Sequence, residues 1–69
     1  MPKRRKEFEK LIKDKGIKPT ELAETLGYQS KYTVYKWIYG IAEPNAATML
    51  RLMELLEIDA ETLLHLFAE

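Results

Sequence analysis

The chain has 69 residues, 46% hydrophobic and 32% charged, with no cysteine, one histidine and zero formal net charge. So short a chain buries only about 60% of the surface its unfolded form exposes, which points to one small domain helped by compact helices or a partner subunit. The cysteine and histidine counts exclude a disulfide scaffold and thiolate or multi-histidine metal sites, and they fit a reducing cytoplasm.

The start, MPKRRK, is basic, but no apolar stretch follows, so it is not expected to be a secretory signal. Nor does any run of about 18 apolar residues exist to span a bilayer. We read residues 1–6 as a basic arm and 7–69 as one domain. Phe8, Leu11 and Ile12 then form an i, i+3, i+4 stripe, predicting a first helix that ends near Lys15 with Gly16 as its left-handed stop. Pro19 suits the first turn of a second helix, where its missing N–H would be unsatisfied anyway. Glu21 complements that helix's dipole, Leu22, Ala23 and Leu26 face inward, and Gly27 closes the element. Ser30 is expected to cap a third helix, Asn45 a fourth running to about Glu57, and Asp59 a fifth from Ala60 to Phe67. No segment alternates with period two. The fold class is therefore all-α, a bundle of about five short helices.

Charge is unevenly spread. Residues 1–18 hold eight Lys/Arg against three acids, a net +5, whereas residues 41–69 hold Arg51 against six acids, a net −5. Such asymmetry points the basic part toward an anionic partner. Wound as a helix, K31-Y-T-V-Y-K-W-I-Y-G40 splits into two faces. Val34, Trp37 and Ile38 make a core stripe. Tyr32, Tyr35 and Tyr39, flanked by Lys31 and Lys36, make an aromatic and cationic face.

Two short helices joined by a glycine-containing turn, the second with a polar outer face, form a helix-turn-helix. The run L22-A-E-T-L-G27, then T33-V-Y-K-W37, then G40-I-A-E-P44, resembles the lambda-repressor-like family of Xre/Cro-type regulators. The apolar helix Met49 to Leu56, followed by I58-D59 and a short last helix, matches as well, so the resemblance covers about Phe8 to Phe67. It departs from the family's pattern in three places. The turn Tyr28-Gln29-Ser30 has one extra residue, Pro19 stands where a phosphate-gripping glutamine is usual, and Ile38 stands where glutamate is usual.

The resemblance implies that Lys31, Tyr32, Tyr35 and Lys36 read bases in duplex DNA. The chemistry agrees, since lysine can donate to guanine and a tyrosine ring can meet a thymine methyl. The bland alternative is a solvated face with incidental tyrosines. Backbone contacts are expected from Gln29, Ser30 and the arm residues Lys3, Arg4 and Arg5, with Tyr39 either a phosphate contact or loop packing. Four cations at a helix start oppose the macrodipole, which favours DNA, by phosphate attraction or minor-groove insertion, over helix stability as their purpose. A frayed, solubilising tail is the alternative.

Met49, Leu50, Met53 and Leu56 read as core. Leu52, Leu55 and Leu66 fall off the core arcs and suggest a two-fold interface that would set two recognition helices about one DNA turn apart. The reading is a sequence-specific regulator of transcription, a small repressor acting by occupying its operator as a homodimer. It would be bacterial or phage-encoded, cytoplasmic and associated with the nucleoid. The competing reading is a protein-interaction module, an antitoxin or adaptor, using the same fold. No cofactor, metal, membrane or small-molecule ligand is expected. No grouping of nucleophile, base and acid suggests an enzyme.

Overall fold

Local stop and start signals set the helix boundaries in the computed structural model, which describes residues 3–68. The first two residues of the expected arm, and Glu69, lie outside the described residues. The helices are α1 (Lys6–Asp14), α2 (Pro19–Leu26), α3 (Tyr32–Ile38), α4 (Ala46–Leu56) and α5 (Ala60–Phe67). The described residues contain no strand. Asn45 and Asp59 cap α4 and α5 through their side-chain oxygens, which accept the Thr48 and Thr62 N–H groups at 2.8 Å each. Each cap satisfies one of the donors a helix start leaves unpaired. At the start of α2 the Glu21 carboxylate accepts the Lys18 backbone N–H at 3.3 Å.

α1 packs on α3 and α5, α2 on α3, and α4 on α5. All five helices contribute to one core, including Phe8, Ile12, Leu22, Val34, Trp37, Ile38, Leu52 and Leu56. Phe8 and Phe67 meet with ring centroids 5.0 Å apart, which fixes α5 against α1. The dimensions, 26 × 26 × 23 Å, leave no extended arm among the described residues.

The orientation of α4 departs from expectation. Its buried residues are Thr48, Leu52 and Leu56, at i, i+4, i+8, with Met49 and Met53 half-buried beside them. Leu52 is fully buried and Leu66 only 9% exposed, so neither is surplus and neither belongs to an outward-facing interface. Leu50, expected in the core, is 61% exposed. Leu50 lies about 200° round the helix from Leu52, so the rotation that buries Leu52 and Leu56, and brings the Thr48 hydroxyl to the Tyr28 hydroxyl at 2.9 Å, leaves Leu50 outside. In α5 the Phe67 contact sets the phase, taking Leu63 and Leu66 inside and leaving Leu64 exposed. Leu55 remains on the surface, as expected.

Candidate nucleic-acid interface

The turn between α2 and α3 begins at Gly27, whose φ of 87° suits a residue without Cβ. Tyr28 N–H then returns to the Ala23 carbonyl at 2.9 Å. The turn is anchored by Tyr28. The Tyr28 ring sits edge-on to Trp37 with centroids 5.7 Å apart, and its hydroxyl reaches Thr48. Gln29 and Ser30 are exposed. Ser30 does not occupy the cap position itself, which Lys31 holds in helical conformation. Its hydroxyl nevertheless accepts the Tyr32 N–H at 3.1 Å.

Both short helices are held at their C-terminal ends by arginines from elsewhere in the chain. Arg51 on α4 donates to the carbonyls of Leu26 at 2.9 Å and Thr25 at 2.8 Å, at the end of α2. Arg5 donates through Nη1 to the carbonyls of Trp37 at 2.7 Å and Ala42 at 2.9 Å, at the end of α3. Its backbone N–H adds a bond to Ile38, its guanidinium lies 4.8 Å from the Phe67 ring centre, and Glu43 is 3.8 Å away. Cations at helix C-termini pair with the dipole and satisfy orphan carbonyls. Sequence reasoning missed Arg51, whose only local signal is to be the one cation in an acidic segment.

Arg5 is a correction. With its side chain only 8% exposed and its donors turned to its own backbone, it is not available as a contact to DNA phosphate. The segment before α1 folds back along the end of α3. A Cβ on Gly40 would fall on the Lys3 backbone carbonyl, so only glycine allows that approach.

Val34, Trp37 and Ile38 are buried, as the helical arc requires. On the outside, one line of side chains runs the length of α3. Lys31 Nζ is 5.9 Å from the Tyr32 ring centre, and Tyr32 and Tyr35 rings are 6.4 Å apart. Tyr35 stacks on Tyr39 at 6.1 Å and 20°, and Arg4 lies over Tyr39 at 5.2 Å. A ladder of three aromatic rings thus has a cation at each end. Tyr32 is 65% exposed and Tyr39 also open, whereas Tyr35 is half-buried against the core. Lys3 and Lys36 are exposed. Tyr35 also walls an open groove of about 400 Å³, together with Glu9, Ile12, Lys13 and the Gly16–Pro19 segment.

Arg4 meets Glu9 in a two-point pair, Nε to Oε1 at 3.0 Å and Nη2 to Oε2 at 2.6 Å. That hydrogen-bonded contact raises the Arg4 pKa and lowers that of Glu9. The Asp59 carboxyl is likewise lowered, by the N–H it accepts from Thr62. His65 is exposed on α5, its Nε2 3.4 Å from the Glu7 carboxylate. No helix of the described residues is long and apolar enough to cross a membrane.

The family model described as a Cro/C1-type HTH DNA-binding domain matches residues 7–69. No curated protein and no solved structure matches the chain.

Proposed function

The chain belongs to the Cro/C1-type helix-turn-helix DNA-binding family, and on that premise we propose that it represses transcription by occupying an operator. DNA binding and a general role in transcription regulation follow from the family, whose members are typically not enzymes. The observation that supports DNA contact through α3 is its cation-flanked tyrosine row, which faces outward with Trp37 buried beneath it. A helix of this kind lies in the major groove, where donors and apolar groups discriminate base edges. Lys31, Tyr32 and Lys36 are our base readers, with Tyr35 adding its accessible part. Gln29, Ser30, Lys3, Arg4 and Tyr39 are our backbone contacts.

One such helix inspects few base pairs, so we propose that two copies bind an inverted repeat with half-sites about 34 Å apart. The pairing surface centres on Leu55, with exposed Leu50 and Leu64 available on the same two C-terminal helices. The acidic charge there keeps that end from DNA. Selection of bound duplexes from random sequence, followed by footprinting, tests the reading. The expected result is an inverted-repeat site whose affinity falls steeply with salt. Indifference to duplex DNA at low salt would overturn the reading and favour a protein partner.

A further inference from the structure

Arg4 reaches the outer face of α3 from outside that helix, and two restraints fix it there. Glu9 takes the Nε/Nη2 edge of the guanidinium fork to fork, at 3.0 and 2.6 Å. The Tyr39 ring, 5.2 Å from the guanidinium carbon, restrains it from a second direction. Glu9 is in turn placed by α1, its backbone N–H bonded to the Arg5 carbonyl at 3.0 Å, and it shares a groove wall with Tyr35. The guanidinium has five N–H donors, and Glu9 engages only one edge. The Nη1/Nη2 edge, two parallel donors, is used by neither restraint. Half of the Arg4 side chain is open to solvent.

A parallel pair of donors matches two oxygens of a phosphodiester. Residues near the start of a recognition helix meet base edges, and Tyr39 lies at the opposite end of α3, where the DNA backbone is expected. Phosphate contacts of fixed geometry set the register of the protein on the duplex. We propose that Glu9 is a positioning residue of the DNA interface, presetting Arg4 so that its free edge clamps one backbone phosphate and fixes the register of α3. The proposal rests on the DNA-binding reading above. It gives a carboxylate on a DNA-facing surface a favourable role, because ordering the arginine in the free protein removes a cost otherwise met on binding.

The sign of the effect makes the test sharp. If Glu9 merely neutralised Arg4, removing its charge would tighten binding to all DNA. If it positions Arg4, Glu9→Gln and Glu9→Ala weaken the selected site by roughly tenfold, the scale of coupling within one hydrogen-bonded network. Random duplex should then be bound as well as before, or better. Arg4→Lys keeps the charge and therefore the salt slope, yet loses specific affinity to a similar extent. Arg4→Ala also lowers the log–log salt slope by about 0.9. Combining Glu9→Gln with Arg4→Ala should be no worse than Arg4→Ala alone. Thermal melts of each variant check that the fold persists, as expected for an exposed pair. A Glu9→Gln protein that binds its selected site as tightly as wild type, or more tightly, would overturn the proposal and leave the DNA-binding reading intact. Wild-type protein that binds no duplex would overturn both.

Discussion

Replacing Arg5 with alanine separates a structural arginine from a DNA-contacting one. The change removes two charge-assisted hydrogen bonds, to Trp37 at 2.7 Å and Ala42 at 2.9 Å, and a cation over the Phe67 ring. Hydrogen bonds to a charged group contribute about 1.5–3 kcal/mol each, and a cation–π contact about 0.5–2 kcal/mol. Their sum exceeds the net effect, because water entering the site re-bonds the freed carbonyls. The 3.8 Å approach to Glu43 adds little, since that carboxylate is well exposed. We expect a loss of about 2–4 kcal/mol. A domain of this size has a total stability of only about 4–10 kcal/mol. The melting temperature, followed by circular dichroism, should fall by roughly 8–32 °C, as each kcal/mol shifts it by about 4–8 °C. In the cold, where the variant is still folded, the salt slope of DNA binding should match wild type. A variant that melts with wild type but shows a slope reduced by one phosphate contact would refute the structural assignment and return Arg5 to the interface.

Three further outcomes are expected. Trp37→Ala should cost about 3–5 kcal/mol in denaturant melts as a large core truncation, whereas Lys31→Ala should leave stability unchanged and weaken the selected DNA site by about 1–3 kcal/mol; a stable Trp37→Ala protein would reverse the inside and outside of α3. Glu9 and Asp59 both have folded-state pKa values below the usual carboxylate range, so their contributions are complete at neutral pH and are lost as pH falls through that range and below. Asp59→Asn keeps a capping oxygen but cannot titrate, so its acid melting limb should be flatter; an unchanged limb would remove Asp59 from the account. Leu55→Glu should abolish cooperative binding while the chain stays folded, and Leu52→Glu should prevent folding, since that side chain is fully buried. Sedimentation and circular dichroism distinguish the two, and a folded Leu52→Glu protein would contradict the orientation of α4.

The helices themselves were determined by the sequence at short range. Asn45 and Asp59 cap groups three residues ahead, Gly27 reverses the chain at its own φ, and Pro19 lies at the first position of α2. Such signals act within one turn and need no tertiary partner, so the five helices and the starts of α2, α4 and α5 could be read directly, whereas α3 begins one residue later than Ser30 suggested. The division of α3 into a buried Trp37 face and a tyrosine face was equally local, because large apolar residues at helical spacing leave one way to turn. What lay beyond the sequence was set by partners far along the chain. α4 is rich in apolar residues on several sides, so composition permits more than one rotation. The rotation adopted buries Leu52 and Leu56 against the other helices and sets Thr48 on Tyr28, twenty positions earlier. In the run K3-R-R-K6 the cations look alike as letters, yet Arg5 is buried over Phe67 and Arg4 stands beside Tyr39. Only the folded chain brings the end of α3 against the start of α1, where the Trp37 and Ala42 carbonyls accept the Arg5 guanidinium.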